Sequence, residues 1–110
     1  MPRYVSIFLT ILITIVSSTM IGCDITAERE LRRAQDALDA ADEVSADAHA
    51  TADYNMANEL FQDAMQLSED GRIQEARTAA IKAKLRAEDA EMKAKERLRI
   101  LNEALDKLGR

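Results

Sequence analysis

Side chains that could do chemistry are few in this sequence and lie far apart. His49 is the only histidine, and Asp53 follows it by one helical turn. Two ligands are too few for a zinc site, which takes three or four protein ligands, so His49 is interpreted as a solvated helix residue. No serine, histidine and carboxylate form a nucleophilic constellation, and the three glycines are too scattered for a phosphate-binding loop. The sequence therefore predicts no enzyme, metal, cofactor or small-molecule substrate.

Cys23, the only cysteine, stands at the end of an unusual N-terminal segment. Arg3 supplies a cation, residues 5–16 are mostly apolar, and residues 17–19 are small and polar, which is the layout of a secretory signal. A single cysteine also excludes an internal disulfide framework. The alternative is an uncleaved membrane helix, because residues 5–22 reach the roughly 17 to 25 residues that a spanning helix needs.

The residues Met20, Ile21, Gly22 and Cys23 resemble the processing motif of bacterial lipoproteins. The resemblance implies that residues 1–22 are a signal peptide, that cleavage precedes Cys23, and that lipid is attached to its sulfur. Residues 23–110 would then be an exported domain, anchored to a bacterial cell membrane and facing the periplasm or the exterior. The resemblance also implies a diacylglycerol on that sulfur and a third acyl chain on the new amino terminus. Three acyl chains are more than stable membrane anchoring requires.

Residues 27–108 contain no proline and one glycine, Gly71, and strong helix formers dominate. An all-α domain is predicted. Gly71 follows a polar stretch and suits the left-handed position after a helix end. We expect a signal or membrane helix and then a long antiparallel hairpin that turns at Gly71, with its first arm bent near residues 50–54. A three-helix arrangement is the alternative.

Apolar residues at steps of three and four mark the face along which the two arms would touch. Folding the chain at Gly71 places Leu38 opposite Leu105 and Ser45 opposite Leu98, so the open end of the hairpin would lie beside Cys23. The predicted seam consists of Leu31, Leu38, Leu60, Leu67, Ile73, Ala76, Ala83, Ala90, Leu98 and Leu105.

Charge differs between the arms. Residues 24–71 carry 13 acids and 3 bases, whereas residues 72–110 carry 7 acids and 11 bases. The same register pairs Glu43 with Arg99, Asp47 with Lys95 and Glu59 with Lys84. The whole chain has a net charge of -5, and its basic residues are interleaved with acids, which argues against nucleic-acid binding.

A second resemblance concerns the region around the turn. It is similar to one tetratricopeptide-like helical hairpin in the residues Tyr54, Leu60, Ala64, Leu67, Gly71, Ile73, Ala76, Ala80 and Ala83. With the signal and the preceding run of Ala34, Ala37, Leu38 and Ala41, the chain resembles the alanine-rich bacterial lipoproteins of a domain-of-unknown-function family. That family implies no established activity. The Tyr-x-Pro element common there is Tyr54-Asn55-Met56 here, without proline.

These observations predict a non-enzymatic, membrane-anchored envelope lipoprotein that acts as a helical scaffold, spacer or protein-interaction module. Its partners would be the membrane, through the lipid, and an envelope protein or a second copy. One alternative is a self-assembling structural coiled coil similar to the murein lipoproteins, although the chain ends in Arg110 rather than in their terminal lysine. The other is a single-pass accessory subunit that keeps its N-terminal helix.

Overall fold

The computed structural model describes residues 26–109, and every regular element in that range is a helix. Helix α1 spans Glu28–Glu43, α2 is the single turn Ala46–His49, α3 spans Thr51–Glu69 and α4 spans Ile73–Leu108. The predicted all-α class is confirmed, as is a hairpin of two long helices that turns at Gly71. The predictions for Met20, Ile21, Gly22 and Cys23 lie outside the described residues.

Helices α3 and α4 are joined by a turn in which the glycine has a specific task. Gly71 has a φ of 79°, the left-handed region where a side chain would be strained. Its N–H donates to the Ser68 carbonyl at 3.1 Å, and the N–H of Arg72 donates to the Leu67 carbonyl at 2.9 Å. These two bonds satisfy carbonyls that the end of α3 would otherwise leave unpaired, as in a Schellman motif. The helix therefore stops at this point and the chain turns back.

The first predicted arm is not one helix, because the chain reverses direction between α1 and α3. Ser45 has a φ of 56° and is the one non-glycine residue of residues 26–109 in the left-handed region. After the single turn of α2, Ala50 has a φ of -143°, and α3 begins at Thr51. The bend expected near residues 50–54 thus lies at residues 44–50. The three-helix arrangement, the alternative from the sequence, is the one observed.

Three clusters of small side chains form the core and fix the helix directions. Ala34 packs with Ala64 and Ala80, Leu38 packs with Ala57 and Ala87, and Ala41 packs with Ala90 and Ala94. Residue numbers rise together in α1 and α4 but run in opposite senses in α1 and α3. Helix α1 is therefore parallel to α4 and antiparallel to α3.

This packing changes the partner of α1. Leu38 lies against two helices and is 3% exposed, while Leu105, its predicted partner, is 65% exposed. The predicted pairing of Leu38 with Leu105 is wrong. The physical reason is that an alanine seam removes little apolar area per helix pair, so α1 buries more by lying in the groove of the α3–α4 hairpin than by following α4 alone.

The start of α1 lies at the turn end of the hairpin. A guanidinium nitrogen of Arg77 donates to the Thr26 carbonyl oxygen at 3.4 Å, and Nε of Arg77 lies 3.9 Å from a carboxylate oxygen of Glu30. Residue 26 is therefore level with the beginning of α4. The described chain therefore begins beside the Gly71 turn, and the position predicted for Cys23 lies outside the described residues.

Candidate protein-interaction surface

Helix α4 is much longer than the helices that cover it. It has 36 residues, or about 54 Å at 1.5 Å per residue. Ala94 is its last buried residue and packs with Ala41 and Ala46. From there to residue 109 only Leu98 is half-buried, and every other side chain is exposed. We call residues 95–108 the α4 extension, because this part of the helix has no partner within the described chain.

One side of the α4 extension is a row of leucines. The buried alanines of α4 follow one another at steps of three and four, and Leu98, Leu101, Leu105 and Leu108 continue the same helix face at the same steps. Exposure increases toward the end of the helix, from 44% at Leu101 to 83% at Leu108. We call these four residues the leucine face. Exposed apolar rows of this kind mark interaction surfaces, and a four-three repeat is the pattern by which helices pair.

The other side of the α4 extension is charged and satisfied within the helix. Arg99 donates to Glu96 at 2.6 Å, one turn before it, and to Glu103 at 2.5 Å, one turn after it. The hydrogen bond from Arg99, with its charge, lowers the pKa of Glu96, and the two carboxylates raise the pKa of Arg99. Pairs at these spacings stabilise an isolated helix only slightly when the charges are exposed to solvent. They support the α4 extension as a helix without a tertiary partner.

A shallow groove lies where the α4 extension leaves the bundle. Its lining combines three apolar side chains with four polar ones: Met92, Ile100 and Leu101, and beside them His49, Lys93, Glu96 and Arg97. Met92 is 62% exposed and Ile100 is 52% exposed. Sequence reasoning missed both residues, because they lie off the stripe at steps of three and four. Their apolar character on an otherwise polar face was the available signal.

The end of the bundle next to this groove is held by polar contacts between helices. Asp53 on α3 accepts a hydrogen bond from Lys93 on α4, and its other carboxylate oxygen lies 3.5 Å from Arg86, which is also on α4. The hydrogen bond from Lys93 and the two positive charges lower the pKa of Asp53, against a smaller effect of burial. The structure puts Asp53 at the edge of the α3–α4 contact, where a charge can be paired.

A second polar contact ties α3 to α1. The Tyr54 hydroxyl donates to the Asp42 carboxylate, and this bond is the main cause of a raised pKa at Tyr54. The ring itself packs against two of the core clusters, which contain Leu38 and Ala41 in the C-terminal half of α1. Tyr54 therefore holds the reversal between α1 and α3 closed. The role was not visible from sequence, where Tyr54 entered only through a family resemblance.

The ten predicted seam residues divide by their surroundings. Leu38, Ala76, Ala83 and Ala90 are buried, and Leu31, Leu60, Leu67, Ile73 and Leu98 are half-buried. Leu105 is the exception, since it projects from the α4 extension and meets no helix of residues 26–109.

The three charge pairs expected between the arms are replaced by contacts within α4. Arg99 pairs with Glu96 and Glu103, Lys95 with Glu91, and Lys84 with Glu88 at 3.6 Å. Glu43, Asp47 and Glu59 form no ion pair with α4 among the described residues. The pairings of Glu43 and Asp47 assumed a first arm antiparallel to α4 along its whole length, whereas the chain reverses at residues 44–50. Glu59 lies on α3 within the hairpin itself, and Lys84 pairs instead with Glu88. Neighbours one turn apart on the same helix are reached with less ordering than a residue on another helix.

Within residues 26–109, no three side chains of the metal-ligating types come together. No helix in the same range has both the length and the apolar character needed to cross a bilayer. His49 lies at the rim of the groove described above, one turn before Asp53, and the structure gives it no cluster of ligands.

Comparisons with known proteins gave no match: no family model, curated protein or solved structure is similar to this chain. The described part of the chain is therefore classified by its fold, a three-helix all-α arrangement whose last helix extends beyond the other two.

Proposed function

We propose that this protein is a non-enzymatic lipoprotein of the bacterial cell envelope. In this proposal Cys23 is its lipid anchor, and the leucine face of the α4 extension is the surface by which it binds another protein. The observation that carries the proposal is the change along α4 from buried alanines to exposed leucines on one continuous helix face. Exposed leucines in that pattern need a binding partner to be shielded from water.

The direction of the helices supports display of this surface away from an anchor. Thr26, three residues after Cys23, contacts Arg77 near the start of α4. Leu108 is 31 residues further along the same straight helix, or about 47 Å away. A lipid at Cys23 would therefore lie at one end of the molecule and the leucine face at the other. That geometry suits a spacer that presents a binding site at a distance from the membrane.

The α3–α4 hairpin has the helix–turn–helix order of a tetratricopeptide unit, which supports a role in protein binding by analogy. A groove of that family requires about three stacked repeats, and the described residues contain one hairpin. We therefore assign binding to the leucine face rather than to a tetratricopeptide groove.

The anchor is tested by the intact mass of the protein extracted from its native membrane. The proposal predicts a chain that begins at Cys23 and carries three acyl chains, and it predicts that Cys23→Ser abolishes the lipid. A chain that keeps residues 1–22 without lipid would instead make this a single-pass membrane subunit, and would overturn the lipoprotein assignment.

The binding surface is tested by cross-linking in intact cells that express the full chain. Leu105→Lys places a charge in the leucine face, at a position that is already 65% exposed, so the fold should survive. Ile81→Lys is the matched control, since Ile81 is 49% exposed and lies on α4 outside the α4 extension. We expect cross-linked species to be lost with Leu105→Lys and kept with Ile81→Lys. Equal recovery from both variants would refute the assignment of the surface.

A self-assembling coiled coil similar to the murein lipoproteins is the second candidate function. The heptad-like spacing of the four leucines favours it, because leucine at both core positions is a standard pairing surface. The two candidates differ in what the leucine face binds, a different protein or another copy of this chain.

A further inference from the structure

We infer that the leucine face is covered by the leucine face of a second copy, in an antiparallel dimer related by a two-fold axis. This inference deepens the second candidate function, in which the leucine face binds another copy of this chain, and it rests on the proposed assignment of the leucine face as the binding surface. It starts from the fact that the leucine face continues an interface already formed inside the chain, the alanine face of α4 that α1 and α3 cover. The second helix would lie against α4 beyond Ala94, where α1 and α3 no longer cover it.

Steric fit selects the antiparallel direction. The reversal at residues 44–50, the bundle tip, lies against the alanine face at the level of Ala94, where Ala46 and Ala94 are in contact. Two parallel copies with helix axes about 8–10 Å apart would bring both bundle tips into the same gap between the two α4 helices. In an antiparallel pair each bundle tip meets only the C-terminal end of the partner's α4. The gap then holds one tip at each end.

The register follows from the spacing of the leucines. Antiparallel packing places an a residue of one helix beside a d residue of the other, which matches Leu98 with Leu108 and Leu101 with Leu105. In both pairs the residue numbers add to the same value, so a single register buries all four leucines of each copy. The overlap then begins where the bundle tip ends and stops where α4 ends, so the α4 extension has the length that this register needs.

Charge agrees with this placement. Glu43 and Asp47 at the bundle tip have no ion-pair partner among the described residues, and neither does Lys107 near the end of α4. In the antiparallel register Lys107 of one copy lies about one to two turns from the level of the bundle tip of the other, within reach of its flexible side chain. The charged ladder on Arg99 lies away from the leucine face and does not oppose the approach of the second helix.

The dimer should be reversible. Two overlapping helices of this length bury less than the about 1,200 Å² at the lower limit of standard protein interfaces. A two-fold contact of one face with itself is closed, so association should stop at two copies. The fraction of the protein that is dimeric should therefore rise with protein concentration, and the dimer should be trapped by cross-linking rather than isolated as a permanent complex.

The test uses single cysteines in the full chain with Cys23→Ser, in mild detergent and with a short bis-maleimide cross-linker. Asn102→Cys places the thiol beside the two-fold axis, where the two copies are about 3 Å apart along the helix. Lys95→Cys is the matched control, one heptad earlier on the same side of the helix. In the antiparallel register its two copies are about 24 Å apart along the helix, whereas in a parallel dimer both pairs would be equally close.

We expect a cross-linked dimer with Asn102→Cys, its loss with Lys95→Cys, and its loss again when Leu105→Lys is added to Asn102→Cys. Adding Ile81→Lys should leave it unchanged. Cross-linking of both single cysteines would overturn the antiparallel arrangement. If neither cysteine gave a dimer at any protein concentration, the second copy would be refuted as the occupant. Loss of other cellular cross-links in Leu105→Lys would then still support the proposed function with a different partner, so the two failures are distinguishable.

Discussion

Leu38→Ala should destabilise the protein far more than Leu105→Ala, although the sequence pattern treats these two leucines as equivalent partners. Leu38 is 3% exposed and is the largest residue of a core that otherwise consists of alanines within residues 26–109. It lies between α3 and α4, against Ala57 and Ala87. Leu105 is 65% exposed and contacts no second helix of the described chain.

The expected magnitudes follow from these surroundings. Leucine to alanine removes roughly three methylene equivalents, so full burial of Leu38 gives about 2.4 kcal/mol from transfer alone. The cavity left between three helices raises the loss in the free energy of unfolding to about 3 kcal/mol, within the range seen for buried leucines. At Leu105 about a third of the transfer effect remains, near 0.8 kcal/mol. The better helix propensity of alanine offsets a few tenths of that.

The measurement is urea unfolding and thermal unfolding of residues 24–110, both followed by far-ultraviolet circular dichroism at low protein concentration so that association does not contribute. Leu38→Ala should lower the melting temperature by roughly 12–24 °C, and Leu105→Ala by a few degrees. Leu38→Met is the control for volume and should cost less than about 1.5 kcal/mol. Equal losses from the two alanine variants would refute the three-helix packing and restore the long two-arm hairpin.

Three further predictions concern the turn and the polar contacts. Asp53→Asn should lose about 1 kcal/mol or less at neutral pH and nothing in acid. The hydrogen bond from Lys93 lowers the pKa of Asp53 below its ordinary value of 3.8. The contribution of Asp53 to the free energy of unfolding is therefore complete above that value and disappears as the pH falls through the folded-state pKa. Urea unfolding of both proteins across this pH range tests the prediction, and a difference in stability that persists in acid would contradict it. Gly71→Ala should cost about 1–2 kcal/mol from its φ of 79° alone, since a methyl group there would meet nothing within 4 Å, while Gly109→Ala, at a helical φ, should be neutral or slightly stabilising in the same assay. Tyr54 should ionise above its ordinary pKa of 10.0 because it donates to Asp42, and Asp42→Asn should lower that pKa in a titration of phenolate absorbance; an unshifted value in both proteins would exclude the contact between α1 and α3.

Much of the local structure could be predicted because its causes are local. Gly71 follows a polar stretch and ends α3, and the absence of proline with a high content of helix formers specifies helix on both sides. The alanines at steps of three and four identify the face of α4 that is buried. Each of these inferences depends on residues within one or two turns of each other, so tertiary packing had little opportunity to override them.

The reversal at residues 44–50 was harder to predict. The sequence indicated a bend near residues 50–54, but a bend within one arm and a full reversal of the chain have almost the same local sequence pattern. Ser45 takes a left-handed conformation that serine does not favour, so the reversal is stabilised by packing on either side of it. The predicted pairings of Glu43 and Asp47 failed for the same reason, because they assumed that the first arm continues where the chain in fact reverses.

The leucines of α4 were likewise predictable only in part. Their spacing was visible in the sequence, and it implied a helix face that must be covered. What covers it depends on where α1 lies, and α1 is held by the groove between α3 and α4.

The sequence by itself determined the helices, the turn at Gly71 and the small-residue face of α4, because these follow from backbone preferences and periodicity over short distances. Only the tertiary structure decided that α1 returns along α3, that the chain enters beside the Gly71 turn, and that the last fourteen residues of α4 have no partner in the described chain. Those outcomes depend on which of two competing packings buries more surface. A groove formed by two helices covers more of α1 than a single helix does. That difference in buried area depends on residues far apart in the sequence, so the local pattern does not reveal it.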